Sequence, residues 1–197
     1  MFNPDKMIEI RWHGRGGQGA VTSAEILAEA AISEGKYAQA FPSFGPERRG
    51  APVLAFNRIN ANQSIRIRSS VTEPDVVVVL DPGLMSVVNV TTGIKTGGIV
   101  IVNTTKSPQQ IKDEFKINSS VATIAATRIA LETLGVPITN TTMIGAVIKA
   151  TEAVKMDSLF DPIRRRFGRL ADKNIDAMKK AYIETVIEEL TIAQNVK

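Results

Sequence analysis

Two short apolar runs constrain the fold of this chain more than any other feature. Asp75-Val76-Val77-Val78-Val79-Leu80-Asp81 and Gly97-Gly98-Ile99-Val100-Ile101-Val102-Asn103 show no alternation of apolar and polar residues. A strand with one wet face alternates, whereas a continuous apolar run suits a strand covered on both faces. Each run is followed by a break and a helical candidate; Asp81-Pro82, for example, opens a turn or helix lasting to about Val90. Buried strands separated by helices indicate an α/β domain with a mostly parallel sheet.

The amino-terminal stretch places a turn on that sheet. Ile8, Ile10 and Trp12 alternate with Glu9, Arg11 and His13, the period-two pattern of a strand. Gly14, Gly16 and Gly19 follow, and then Ala20 begins a helical run that lasts to Glu34 and stops at Gly35, a residue suited to the position after a helix. Strand, glycine turn and helix form the context in which G-x-G-x-x-G has physical meaning. Glycines allow a sharp turn and close backbone approach, and the free N–H groups at the helix start attract anions. A nicotinamide dinucleotide also needs an acidic residue about 20 positions further on to bond its ribose. That region reads Tyr37-Ala38-Gln39-Ala40-Phe41-Pro42, with no acid. The turn is left with two roles, recognition of some other anion or tight packing of helix on strand.

The rest of the chain divides into short elements. Tyr37–Phe41 reads as a second strand, and residues 42–52 as a loop dense in proline, glycine and charge. Val53–Ile59 and Ser64–Ser69 read as a hairpin around Asn60-Ala61-Asn62-Gln63, with Ile65 and Ile67 on one face and Arg66 and Arg68 on the other. Pro52 fits a strand start or an edge, since it cannot donate to a ladder. The remainder reads as helical: Val121–Leu134, stopped by Gly135 and Pro137; a helix capped by Thr139–Thr142 and running to about Val154; and one from Ser158 to Gly168. A last helix carries Ile175, Met178, Tyr182, Val186 and Leu190 on one stripe. The expected fold is a single domain over residues 1–197, core about 7–190, with a hairpin addition and a helical carboxyl-terminal part.

Composition removes several classes of function. The chain has no cysteine and one histidine, which excludes thiol catalysis and cysteine-ligated zinc or iron–sulfur clusters. A net charge of +4 and 5% aromatic residues are too little to suggest nucleic acid. No apolar stretch approaches the roughly 20 residues of a membrane span, and the amino terminus lacks the shape of a signal peptide. A cytoplasmic protein is expected. Paired acids, a G-x-S-x-G elbow and a P-loop lysine are absent, so no catalytic residue and no metal ligand is assigned.

Three groups of residues remain as candidates for recognition. His13, Arg15 and Gln18 could together face a phosphate, arginine forking onto its oxygens; His13 alone suits packing or hydrogen bonding as well. Arg48, Arg49, Arg58, Arg66 and Arg68 form a candidate basic surface, or a merely solvated one. Arg164, Arg165, Arg166 and Arg169 lie near a helix carboxyl terminus, where positive charge is favourable in any case, and read as structural or interfacial.

Two segments taken together resemble a known family. Arg11-Trp12-His13-Gly14-Arg15-Gly16-Gly17-Gln18-Gly19 and Phe41-Pro42-Ser43-Phe44-Gly45-Pro46-Glu47-Arg48-Arg49-Gly50-Ala51-Pro52-Val53 are similar to the gamma subunits of pyruvate:ferredoxin oxidoreductases, within the wider 2-oxoacid:acceptor oxidoreductases. Asn140-Thr141-Thr142-Met143-Ile144-Gly145 also fits. In several members two glycines follow the second arginine, whereas here Arg49-Gly50 precedes Ala51. Arg-Arg-Gly-Ala-Pro is closest to the pyruvate branch, with the branched-chain 2-oxoacid enzymes next.

The resemblance implies a Rossmann-like fold and a non-autonomous enzyme subunit. The complex would oxidise pyruvate to acetyl-CoA and reduce ferredoxin, or run in reverse as a pyruvate synthase. Its thiamine diphosphate, magnesium and [4Fe–4S] clusters would sit on alpha, beta and delta-type subunits, none being bound by this chain alone. Gly14, Arg15, Gly16, Gly17, Gln18 and Gly19 would then serve as an anion loop for the coenzyme A region, and Phe44, Glu47, Arg48 and Arg49 as an interface. The alternatives are a stand-alone nucleotide-binding module and a scaffold whose glycine turn only packs.

Overall fold

A computed structural model describes residues 6–43 and 50–188. One seven-stranded sheet runs through it, made of β1 (Ile8–Arg15), β2 (Tyr37–Pro42), β3 (Pro52–Asn60), β4 (Val76–Val79), β5 (Ile99–Asn103), β6 (Ser120–Ile124) and β7 (Val186–Glu188). Their spatial order is β2-β3-β1-β4-β5-β6-β7. β1, β4, β5 and β6 pair in parallel, while β3 lies antiparallel between β2 and β1 and β7 closes the far edge antiparallel to β6. The two apolar runs are the central strands β4 and β5, every residue of which is buried.

Two apolar layers cover the sheet. On one face Ile10, Trp12, Val76, Val78, Ile99 and Ile101 pack with the helices α1 (Ala20–Ser33), α3 (Ala126–Leu134), α4 (Asn140–Thr151), α5 (Phe160–Phe167) and α6 (Ala171–Glu184). On the other, Val77, Val79, Val100 and Val102 meet Met85, Val90 and Ile111 of α2 (Pro108–Phe115). The period-two reading of β1 holds: its apolar set faces α1, and Glu9, Arg11 and His13 face away. Inside the first layer Thr142 Oγ1 is buried with no partner among the described residues, whereas the polar groups between β1, β3 and α1 are matched. The Trp12 indole donates to Asn57 Oδ1 at 2.8 Å, and Asn57 Nδ2 donates to the Ala24 carbonyl at 2.8 Å, which ties β1, β3 and α1 together.

Four expectations need correction. Ser64–Ser69 forms no strand with β3, because both edges of β3 are already taken by β1 and β2; the hairpin of this fold is β2–β3 instead. Val121–Leu134 is not one helix. Val121, Ala122 and Ile124 enter the sheet as β6 and are buried against β5, and the helix begins at Ala126. Here tertiary burial overrides the helical preference of an alanine-rich segment. The last helix ends at Glu184, so Val186 lies on β7, and Leu190 falls outside the described residues. Arg58 is not part of a basic surface: it is 2% exposed and its Nε donates to Glu9 Oε1 at 2.8 Å. The α5 arginines match their structural reading, with Arg164 paired to Asp161, Arg165 to Glu29 and Arg166 to Glu25.

Candidate functional site

The glycine turn sits where the sheet changes direction of growth. From β1 the chain passes through α1 to β2 on one side, then returns to place β4 on the other. Ligands of open α/β sheets collect in this crevice, beyond the carboxyl ends of the two diverging strands. Its walls are the turn Gly14–Gly19 and the residues after β4, namely Leu80, Asp81 and Pro82.

The turn is closed by its own groups. Gln18 Oε1 accepts from the Arg15 N–H at 2.7 Å, and the Gln18 N–H donates to the Arg15 carbonyl at 3.0 Å. Gly16 is stitched to the entrance of β3, its N–H donating to Ala51 O at 2.9 Å and its carbonyl accepting from Gly50 at 3.3 Å. Gly17 and Gly19 have φ of 94° and 81°, the left-handed region that favours glycine. At Gly19 a second reason applies: an added Cβ would lie 2.9 Å from the Asn140 side chain at the start of α4. At Gly17 no described residue lies within 4 Å of that position. The N–H groups of Gly19, Ala20 and Val21, at the positive end of α1, donate to no described residue.

Asp81 is the residue that sequence reasoning missed. Its Oδ2 accepts from Arg15 Nε at 2.6 Å and from Gln18 Nε2 at 3.3 Å, while Oδ1 accepts from the Gly83 N–H at 2.9 Å. In the sequence Asp81 stands only as a turn opener before Pro82; its place just after the strand beside β1 is the usable signal. Arg15 is therefore held by a carboxylate, with Nη1 also donating to Gly50 O at 3.2 Å, and its side chain remains 34% exposed. A cation already paired attracts an anion less strongly than a free one, so among the described residues most of the attraction comes from the backbone donors.

His13 does not join Arg15 and Gln18. It is buried, and its Nε2 accepts from Arg11 Nε at 3.1 Å. Arg11 in turn donates to the carbonyls of Thr72, Val90 and Thr92, clamping the segments before and after β4 onto β1. Burial first, and the neighbouring Arg11 charge second, lower the His13 pKa to about 4. The folded value lies below the ordinary 6.5, so only the unfolded chain takes up this proton between the two. Stability is accordingly full above about pH 6.5 and falls as pH drops toward about 4, by roughly 2–3 kcal/mol at the lower end. Urea unfolding at pH 7 and pH 4.5 should show a larger loss in the parent than in His13→Gln, whose amide can still accept from Arg11. Equal losses would show that His13 is not the titrating group.

Phe44, Glu47, Arg48 and Arg49 lie outside the described residues. Among the described residues there is no group of three His, Cys, Asp or Glu placed to hold a metal ion, and no helix is long and apolar enough to cross a membrane. The antiparallel β3 also separates this sheet from a dinucleotide fold. Where such a fold sets the carboxyl end of its second strand beside the glycine turn, this chain sets the amino end of β3, with Arg15 opposite Pro52. Among the described residues the ribose-binding acid has no equivalent place.

Fold and turn together define an α/β domain that offers a glycine turn at a switch point. Residues 9–184 match the family model described as pyruvate ferredoxin/flavodoxin oxidoreductase, and the chain belongs to that family. It is 58% identical over 186 residues to the pyruvate/ketoisovalerate oxidoreductases common subunit gamma of Thermococcus kodakarensis, covering 93% of this chain and 100% of the relative. It is 55% identical over 177 residues to the pyruvate synthase subunit PorC of Methanothermobacter marburgensis, covering 89% and 96%. The crystal structure of pyruvate oxidoreductase subunit PORC from Thermotoga maritima superposes with a TM-score of 0.83 at 39% identity, over 93% of this chain and 99% of that one.

Proposed function

We propose that this chain is the gamma subunit of a pyruvate:ferredoxin oxidoreductase, or pyruvate synthase, acting in the cytoplasm with alpha, beta and delta-type subunits. The observation that carries this reading is similarity over nearly the whole length of relatives that bear those names. The complex would convert pyruvate and coenzyme A to acetyl-CoA and carbon dioxide while reducing ferredoxin. Iron–sulfur clusters do not fit this chain, which has no thiolate to ligate them. Thiamine diphosphate, magnesium and the clusters are assigned to the other subunits, which would also carry the contact with ferredoxin. The Thermococcus relative is named as common to pyruvate and ketoisovalerate oxidoreductases. A gamma subunit of that kind does not choose the 2-oxoacid, and substrate selection belongs to its partners.

Within the complex, Gly14–Gly19 would meet the phosphates of coenzyme A through the unpaired N–H groups at the start of α1. Gly17 gives the discriminating test. An alanine there meets no described atom, so among the described residues it costs only the strain of a positive φ, about 1–2 kcal/mol. Any larger effect must come from something beyond the described residues that approaches the turn. In the assembled complex Gly17→Ala is expected to raise the KM for coenzyme A by about one to two decades, with that for pyruvate little changed. If both activities fall together and less gamma subunit is incorporated, the turn serves packing, and the coenzyme assignment is wrong.

A further inference from the structure

The segment Ser64-Ile65-Arg66-Ile67-Arg68-Ser69 has the composition of a strand but no strand partner. It lies against the β2–β3 face through two carbonyls. Ile65 O accepts from Gln39 Nε2 at 3.0 Å and Ile67 O from Arg58 Nη1 at 3.4 Å. Gln39 and Arg58 are themselves directly paired across β2 and β3. Carbonyls two residues apart that face the same way are the mark of an extended chain, in which each residue's N–H and C=O point to one side and those of the next residue to the other. The backbone groups of Arg66 and Arg68 therefore point away from the sheet, and no described backbone group pairs with them. Arg66, Ile67 and Arg68 are exposed, and neither arginine has an ion-pair partner among the described residues.

We infer that residues 64–69 are a docking edge that receives, by strand addition, an extended segment of another subunit in which acidic and apolar residues alternate. The main-chain groups of Arg66 and Arg68 supply the ladder, and the side chains set the specificity. Charge selects an acidic partner, because opposite charges facing each other across strands stabilise and like charges do not. The same rule excludes a second copy of this chain. An antiparallel register that sets Ile67 against its own copy puts Arg66 opposite Arg68, and a slip by one residue puts each arginine opposite an isoleucine or Ser69. An acidic and apolar segment satisfies both positions at once.

The inference rests on the reading of this chain as a subunit, and one experiment separates the two. Amide hydrogen exchange is compared between the full chain alone and the complex formed by co-expression with its partner subunits. Strand addition predicts that the Arg66 and Arg68 amides exchange at least about tenfold more slowly in the complex. Arg66→Glu/Arg68→Glu should weaken assembly by about tenfold or more, and by less at high salt, whereas Arg66→Gln/Arg68→Gln should be intermediate. All variants should keep the melting temperature of the isolated parent, since both side chains are exposed. A complex that turns over pyruvate while these amides stay unprotected overturns strand addition and leaves the subunit reading intact. So does a glutamate double variant that incorporates as well as the parent. A chain that joins no partner subunit overturns both.

Discussion

Replacing Gly145 with alanine is expected to lower the melting temperature of the chain by roughly 5–10 °C, corresponding to about 3 kcal/mol. Elsewhere in a helix the exchange would help, since alanine exceeds glycine in helix preference by up to about 1 kcal/mol. In α4 it cannot, because α6 crosses directly against this position. A Cβ would overlap the Met178 carbonyl oxygen, with the carbonyl carbon 3.0 Å and the Tyr182 nitrogen 3.1 Å away. These are backbone atoms of a helix and cannot swing aside as a side chain does. The helices would have to separate, which would loosen the packing of Met143, Ile144 and Met178 and strain the bond from Thr141 Oγ1 to Asn174 at 2.8 Å. Gly135→Ala is the comparison: its φ is 77° but no described atom lies within 4 Å, so about 1 kcal/mol is expected. Thermal unfolding followed by circular dichroism distinguishes them. If Gly145→Ala melts no lower than Gly135→Ala, the two helices are not in the close contact described.

Removal of the Glu9 carboxylate should destabilise the chain by about 3–5 kcal/mol, the range for breaking one side of a buried ion pair. Glu9 Oε1 accepts from Arg58, and Glu9 Oε2 from Lys95 at 3.1 Å; Lys95 also donates to Asp75 at 2.9 Å. Burial works to lower the Lys95 pKa, but the bonds to Asp75 and Glu9 outweigh it and the value is raised. In Glu9→Ala, Arg58 keeps the Phe41 ring 5.4 Å from its guanidinium and the Ile67 carbonyl, but it loses its carboxylate while 2% exposed. Lys95, 35% exposed in its side chain, can turn to water and contributes little to the loss. Replacing both partners, as Glu9→Leu/Arg58→Met, should recover much of the stability, since two apolar groups leave no charge stranded. Urea titration of the three proteins checks this. A double variant as unstable as Glu9→Ala would mean that the loss comes from packing rather than from an orphaned charge.

Several parts of the fold were legible because local pattern and final environment agree. Unbroken valine and isoleucine runs can be satisfied only between two apolar layers, and β4 and β5 are there. Alternation assigned the two faces of β1 residue by residue. The Gly35 stop and the Gly14–Gly19 turn followed from conformations that only glycine adopts freely. The motifs that carry the family resemblance were legible for the same reason, being contiguous in the chain.

What the sequence alone determined, then, is the α/β class, the two-sided burial of the central strands, the glycine turn at the end of β1, and the lack of thiolate ligands for metal chemistry. Tertiary structure decided the pairings that depend on which edge is free. β3 joins β1 and β2, so Ser64–Ser69, equally strand-like in sequence, is left beside the sheet. Val121–Ile124 becomes a strand because an open edge of β5 lies next to it, a fact no local preference contains. Asp81 meets Arg15 across 66 positions of chain, and Asn140 packs on Gly19 from a helix formed much later in the chain. Periodicity reports what one segment can become. Which partner satisfies it depends on the folded arrangement of all the others.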